Sequence, residues 1–179
     1  GVVRRALFAV MVPVAALWRA HGVEPAAVVG HSQGEIAAAC VAGALSREAA
    51  AEIVAVRSRA LRDLAGTGGM ASVALSADEA AAQIERFGDA LSVASINGPR
   101  AVVVAGAVEA LEEWVRECES AGVWIQRIPV DYASHSGQVE SLRADLLDAL
   151  ADVTPTQSRL PLYSTTTGGR VDGSELDAE

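Results

Sequence analysis

Apolar residues recur at three- and four-residue spacing near the start of the chain, at Leu7, Val10, Met11, Val14 and Leu17. This spacing predicts a core helix over residues 6–21, ended by Gly22. A short apolar run over residues 26–29 predicts a strand that is buried on both faces. The alanine-rich stretch over residues 36–42 predicts a second helix, with Gly43 as its C-terminal cap.

Residues 68–129 show a different pattern, in which short predicted strands alternate with helices. A capping box that begins at Ser76 opens a helix, and residues 97–100 form a turn between two strands. The predicted elements follow the order β-α-β-β-α-β, which is typical of a ferredoxin-like subdomain. Their ranges are 70–75, 76–87, 91–96, 101–105, 108–121 and 123–128.

The stretches on either side of this segment predict one larger unit of the α/β class. We expect residues 1–67 and 130–179 to form a large subdomain into which the small subdomain of residues 68–129 is inserted. The returning segment predicts a loop, a helix, a strand and a turn-rich stretch, over residues 131–136, 138–150, 160–164 and 168–173. Only two clear strands are predicted for the large subdomain, so we expect sequence to be missing at one or both ends.

The predicted strand and helix over residues 26–42 are joined by Gly30-His31-Ser32-Gln33-Gly34. A strand, a sharp turn with a central serine and a helix form a nucleophile elbow, which makes Ser32 the candidate nucleophile. We expect Gly30 and Gly34 to let strand and helix approach closely, and the Gln33 N–H to donate to an oxyanion. The alternative is a glycine-rich turn with an incidental serine.

A serine nucleophile needs a base, and the chain has three histidines. His21 ends a predicted helix and is interpreted as a surface or capping residue, and His31 beside Ser32 as a bracing residue. His135, in the irregular loop, is the predicted base. Asp131 is poorly spaced to orient His135, so a carbonyl group is the alternative and the pair is then a dyad.

Arg57 is a further candidate, on the predicted helix that Ser46 caps. Arg57 and Arg59 are two residues apart and therefore face different ways. An inward arginine binds a substrate carboxylate through two hydrogen bonds. The residues alone favour a solvated surface arginine at position 57.

Composition narrows the function classes. Lysine and arginine number 14 against 23 acidic residues, and the net charge of −9 argues against nucleic-acid binding. The apolar stretch over residues 6–18 is too short to span a membrane. Two cysteines without a secretory signal indicate a cytoplasmic protein. No metal site is predicted.

Several short motifs occur in order along the chain: Gly30 to Glu35, Arg57-Ser58, Gly69-Met70, Asn97-Gly98-Pro99 and Tyr132-Ala133-Ser134-His135. With them, essentially the whole chain resembles the acyltransferase domains of modular type I polyketide synthases. The resemblance implies an α/β-hydrolase-like large subdomain with a ferredoxin-like small one.

The resemblance also implies a reaction. Ser32 is acylated by the CoA thioester of an extender unit, His135 is the base, and Arg57 pairs with the free carboxylate of the extender. The acyl group then passes to the phosphopantetheine thiol of an acyl carrier protein, in a ping-pong cycle without a permanently bound cofactor. The implied partners include the neighbouring ketosynthase domain of the same polypeptide.

The motif at Tyr132 to His135 resembles the methylmalonyl-selective version in this family, whereas malonyl-selective relatives tend to carry His-Ala-Phe-His there. Gln33 in the elbow is a second feature that resembles the methylmalonyl-selective version. Ser134 in place of phenylalanine leaves space for an α-methyl group. The expected substrate-binding residues are His31, Arg57, Tyr132 and Ser134, and the expected substrate is methylmalonyl-CoA.

The sequence departs from the family pattern at both ends. Members begin with a Gly-Gln-Gly strand and continue beyond the position of Glu179, and the opening Arg4-Arg5 replaces their usual Gln-Pro. We therefore expect an internal fragment of an acyltransferase domain. The alternatives are a malonyl-selective acyltransferase, a serine hydrolase or thioesterase-like enzyme, and a catalytically idle docking piece.

Overall fold

The computed structural model of this chain describes the backbone of residues 2–176 and the side chains of residues 5–176. Gly1 and residues 177–179, which bear on the expectation of missing flanking sequence, lie outside the described residues. In chain order, the helices and strands are α1 (Val2–Ala20), β1 (Val28–Gly30), α2 (Gly34–Ala42), α3 (Arg47–Ala60), β2 (Gly69–Val73), α4 (Ala77–Ile84), β3 (Leu91–Gly98), β4 (Ala101–Gly106), α5 (Val108–Ser120), β5 (Ile125–Ile128), α6 (Arg143–Ala149), β6 (Leu162–Ser164) and β7 (Gly169–Val171). Short 3-10 helices occupy Glu85–Ala90, Gly137–Leu142 and Gly173–Glu175.

The chain divides into a large unit, Gly1–Ala60 with Ala144–Glu179, and a small unit, Leu61–Arg143. The small unit thus includes connecting segments that the sequence assigned to the large subdomain. These segments bond to each other, because the Gly66 N–H donates to the Asp131 carbonyl oxygen at 2.6 Å. The Gln138 side-chain amide likewise donates to the Thr67 carbonyl oxygen at 3.1 Å.

The sheet of the large unit has the order β1-β6-β7. Strands β1 and β6 are parallel, with Gly30 opposite Ser164, and β6 and β7 are antiparallel. Strand β7 lies in the stretch that was predicted as turn-rich, because Gly168 and Gly169 are typical turn residues and the strand is only three residues long. The core of this unit combines alanines, among them Ala39 and Ala42 of α2, with Leu45 and with Leu162 of β6.

Helix α1 is present, but the predicted stripe is not its packed face. The five apolar residues at helical spacing are 42% to 58% exposed. The half-buried residues of α1 form another stripe at three- and four-residue spacing: Phe8, Val12, Ala15 and Arg19. Both stripes carry apolar residues, so periodicity alone did not determine which one packs.

Strand β1 is not buried on both faces, contrary to the prediction. Val29 is 66% exposed. It borders an open cavity of about 480 Å³ that is also lined by α1, by α2 and by the segment between α1 and β1, with Met11, Val41 and Pro25 among the lining residues. Within residues 2–176, no element covers this face of β1.

The small unit has the predicted order β-α-β-β-α-β. Its antiparallel sheet has the strand order β3-β4-β2-β5. Helices α4 and α5 pack on one face through a core that includes Val73, Val102, Val104 and Trp114, each fully buried. This unit therefore has its own hydrophobic core.

Helix α4 begins with the predicted capping box. The Glu79 N–H donates to Ser76 Oγ at 3.2 Å, and the Ser76 N–H donates to Glu79 Oε2 at 2.8 Å. We expect Ser76→Ala to lower the free energy of unfolding by about 1 kcal/mol, because an N–H of the first helical turn loses its acceptor. The measurement is urea unfolding of wild type and variant. The control is Ser120→Ala, at an exposed serine whose hydroxyl bonds only within α5, and an equal loss in the two variants would contradict this account.

The same box has a pH signature. The Ser76 N–H bonded to the Glu79 carboxylate holds the pKa of that carboxyl below its ordinary value. Because the folded-state pKa is the lower one, the stabilisation is present above the pKa of the unfolded state and is lost as pH falls through the folded pKa. We expect the difference in free energy of unfolding between wild type and Glu79→Gln to shrink as pH falls from the unfolded-state pKa of Glu79 through its folded-state pKa.

Candidate active site

Ser32 lies in a tight turn between β1 and α2. Its φ of 53° is in the left-handed region, which only one other described residue outside glycine adopts. The Gly34 N–H donates to the His31 carbonyl oxygen at 2.9 Å, and the Glu35 N–H to the Ser32 carbonyl oxygen at 3.0 Å. Such a conformation costs roughly 1–3 kcal/mol and is typical of functional turns. The local geometry is that of a nucleophile elbow.

The two glycines of the elbow play different roles. A Cβ at Gly30 would overlap the backbone atoms of Gly34 and Glu35. A Cβ at Gly34 would meet nothing within 4 Å. The prediction that both glycines are needed for close approach is therefore wrong for Gly34, because only Gly30 lies under the returning backbone.

A second cavity adjoins the elbow within the large unit. It has a volume of about 230 Å³ and is lined by residues 31–34 and by the α1 side chains Leu7, Phe8 and Met11. His31 is exposed at its rim, and Gln33 is the residue that precedes α2. The side chains from α1 give the space beside Ser32 an apolar wall.

Arg57 lies in the last turn of α3. The buried stripe of this helix contains Ala50, Val54 and Ser58, and Arg57 is half-buried beside it. Arg59 is exposed. Arg57 therefore differs from a fully solvated surface arginine, which was the interpretation from the residues alone.

The other predicted residues lie in the small unit, in the loop that follows β5. His135 is exposed and has a φ of 61°, while Tyr132 is half-buried. Ser134 is only 8% exposed, and its hydroxyl donates to the Met70 Sδ at 3.1 Å. Ser134 is thus fixed against the first strand of the small sheet.

The candidate residues are divided between the units. The large unit brings together His31, Ser32 and Gln33 on the elbow and carries Arg57 on α3, whereas the small unit carries Tyr132, Ser134 and His135. The pairing of Ser32 with His135 stays a prediction. Among residues 2–176 no cluster of three or more His, Cys, Asp or Glu side chains is arranged to hold a metal ion. No described helix is long and apolar enough to span a bilayer.

Comparison with known proteins decides the family. The family model described as "Acyl transferase domain" matches residues 1–179. The chain belongs to this family. The match confirms the resemblance found in the motifs.

Curated relatives of this acyl transferase domain include proteins named as polyketide synthases. Erythronolide synthase EryA3 of Saccharopolyspora erythraea is 63% identical over 177 residues, which is 98% of this chain and 6% of that protein. Polyketide synthase GfsE of Streptomyces halstedii is 58% identical over 177 residues, which is 99% of this chain and 5% of that protein. The chain therefore spans about one-twentieth of the length of these relatives.

Solved structures confirm the α/β fold. The acyltransferase domain from module 8 of the salinomycin polyketide synthase matches with a TM-score of 0.93 and 54% identity, over 96% of this chain and 40% of that chain. A loading acyltransferase from the avermectin modular polyketide synthase matches with a TM-score of 0.93 and 47% identity, over 96% of this chain and 55% of that chain. The malonyl CoA-acyl carrier protein transacylase of Coxiella burnetii matches with a TM-score of 0.90 and 25% identity, over 97% of this chain and 57% of that chain.

Two residues of this acyl transferase domain had no role in the sequence reasoning. The Met70 Sδ accepts a hydrogen bond from the Ser134 hydroxyl, which is 64 positions away in the chain. Glu35 accepts hydrogen bonds from residues 129 and 130 positions away. Both stood in recognised motifs, but no local pattern indicates a partner that is distant in sequence.

Proposed function

We propose that this acyl transferase domain moves an extender acyl unit from a CoA thioester to the phosphopantetheine thiol of an acyl carrier protein. The observation that carries the proposal is the positive φ of Ser32 at a strand-turn-helix junction. A serine held in this way presents its hydroxyl above the backbone as a nucleophile. CoA and phosphopantetheine belong to substrate and partner, and neither is a resident cofactor.

The proposed cycle has two balanced halves. Ser32 Oγ attacks the thioester carbonyl carbon while His135 takes the hydroxyl proton, and the CoA thiol leaves with that proton. The pantetheine thiol then attacks the acyl-Ser32 ester, and the serine oxygen regains a proton through His135. The Gln33 N–H donates to the oxyanion in both halves.

The substrate-binding roles extend this proposal. Arg57 pairs with the free carboxylate of the extender, and His31 braces the elbow at the rim of the apolar cavity beside Ser32. The neighbouring ketosynthase domain of the same polypeptide is the proposed consumer of the loaded carrier, in the cytoplasm. The chain covers only 6% and 5% of two relatives, which supports a place within a longer polypeptide.

We further propose that the extender is methylmalonyl. Tyr132 and Ser134 form the selectivity motif, and the small Ser134 side chain leaves room for an α-methyl group. The bond to Met70 Sδ holds the Ser134 hydroxyl against β2. A methyl group contributes roughly 1–3 kcal/mol of discrimination, which biases selection without making it absolute.

The test is the intact mass of the longest natural polypeptide that contains this sequence, after brief incubation with methylmalonyl-CoA and malonyl-CoA in competition. We expect a methylmalonyl adduct that is absent in Ser32→Ala and passes to added carrier protein. A malonyl adduct would contradict the selectivity. Steady CoA release without carrier protein would indicate a hydrolase, and no adduct would indicate an idle docking piece.

Replacing Ser134 by phenylalanine should reverse the selectivity. The larger ring fills the space assigned to the α-methyl group, so we expect the ratio of methylmalonyl to malonyl loading to fall roughly 10- to 200-fold. The measurement is the same competition experiment. Ser141→Phe is the control, since Ser141 is exposed in the same unit, and an equal change in both variants would refute the assignment.

A further inference from the structure

Glu35 directly follows Gly34, the last residue of the elbow, and takes no part in the proposed chemistry. Its carboxylate nevertheless accepts several hydrogen bonds from the end of β6. Thr165 donates to Oε1 through its N–H and its Oγ1, each at 2.7 Å. Ser164 Oγ lies 3.2 Å from both carboxylate oxygens. A carboxylate that accepts this many bonds is fixed in position.

These donors belong to the strand that pairs with the elbow strand. Ser164 lies opposite Gly30 in the parallel pair, and Thr165 Oγ1 is also 3.2 Å from the Gly30 carbonyl oxygen. Ser164 is 8% exposed, and its Oγ accepts the Thr166 N–H at 3.1 Å. The carboxylate therefore ties the first turn of α2 to the carboxyl end of β6, the edge at which open α/β sheets bind ligands.

The backbone of Glu35 reaches back to the nucleophile. Its N–H donates to the Ser32 carbonyl oxygen at 3.0 Å. Ser32 adopts a φ of 53°, and such a conformation persists only where the surroundings hold it. One residue thus bonds Ser32 through its main chain and the neighbouring strand through its side chain.

We propose that Glu35 is a positioning residue for Ser32. By anchoring the start of α2 to Ser164 and Thr165, it holds the elbow turn in the conformation that presents Ser32 Oγ. The inference rests on the proposed function in one respect, which is that Ser32 is the nucleophile. Glu35 itself exchanges no proton with the substrate.

A general effect of negative charge at a helix start has to be separated from this anchoring. Glu48 offers the matched control, because it lies in the first turn of α3 and is exposed. Glu48→Ala removes a first-turn carboxylate without touching the elbow. Glu35→Gln keeps one oxygen acceptor for the Thr165 N–H, and Thr165→Val removes one of the donors.

The experiment measures single-turnover acylation of Ser32 by methylmalonyl-CoA in the longest natural polypeptide that contains this sequence. For Glu35→Ala we expect the acylation rate at saturating thioester to fall on the order of 100-fold, because a small misplacement of the reacting group has that effect. The half-saturating thioester concentration should stay within about threefold, since binding is not the step affected. Glu48→Ala should acylate within about twofold of wild type, because substitutions of exposed residues away from such contacts usually have small effects.

The remaining variants keep the test decisive if Glu35→Ala fails to fold. We expect Glu35→Gln to lose roughly 10-fold in rate, and Glu35→Gln with Thr165→Val to lose less than the product of the two single effects. If Glu35→Gln and Thr165→Val acylate at the wild-type rate, or if they lose only thioester affinity, the inference about Glu35 is overturned and the proposed function is unaffected. If wild type forms no adduct on Ser32, the proposed function fails and the inference fails with it.

Discussion

Replacing Gly30 by alanine should nearly abolish acylation of Ser32. The added Cβ would overlap the backbone atoms of Gly34 and Glu35, and backbone cannot turn away as a flexible side chain does. We expect the free energy of unfolding to fall by about 3 kcal/mol, at the upper end of the range for overpacking. The elbow turn has to shift to relieve the overlap, so we expect the acylation rate to fall on the order of 1,000-fold through misplaced nucleophile and oxyanion donor.

Gly34→Ala is the matched control for this prediction. The second glycine of the same motif has open space where its Cβ would lie, and it opens a helix that tolerates alanine well. We expect urea unfolding of Gly34→Ala to match wild type or to show a small gain in stability. Acylation should fall far less than in Gly30→Ala. Equal losses in the two variants would show that close packing under Gly30 does not set the geometry of the elbow.

The small unit was predictable because its signals are local. The capping box at Ser76 specifies the start of α4, and the turn at residues 97–100 specifies the hairpin of β3 and β4. Each signal involves residues within a few positions of one another, and together they determine the order of the elements. The order in turn restricts the topology to a few choices.

The large unit was less predictable because its packing depends on partners that are distant in sequence. Helix α1 carries two apolar stripes, and only the fold shows that Phe8 and Val12 lie on the packed one. Strand β7 is three residues long and begins at Gly169, so it carries no strand pattern of its own. A short strand of this kind exists because β6 lies beside it.

The candidate site divides in the same way. The sequence predicts Ser32 as the nucleophile from the elbow motif and His135 as the base from its place in the irregular loop, and both residues have a positive φ. The bonds of Glu35 to Thr165 and of Ser134 to Met70 join segments far apart in the chain. A sequence pattern indicates which groups can react, whereas the groups that position them become visible only in the fold.

Arg57→Ala should remove most of the activity toward carboxylated extenders. Arg57 is half-buried beside the packed stripe of α3, where a guanidinium can hold a carboxylate by two charged hydrogen bonds. Loss of one partner of such a pair costs about 2–5 kcal/mol, so we expect methylmalonyl loading to fall roughly 30- to 5,000-fold. Loading of propionyl-CoA, which lacks the carboxylate, should change little. The measurement is the loading rate with each thioester.

Arg59→Ala separates this role from a general loss of positive charge. Arg59 is on the same helix two residues further on and is exposed, so its guanidinium faces solvent. We expect Arg59→Ala to load methylmalonyl at close to the wild-type rate, because isolated surface charges contribute little. If Arg57→Ala slowed methylmalonyl and propionyl loading equally, Arg57 would be maintaining the fold of α3 and not binding the extender carboxylate. A selective loss would establish that the half-buried position of this arginine serves recognition of the carboxylate.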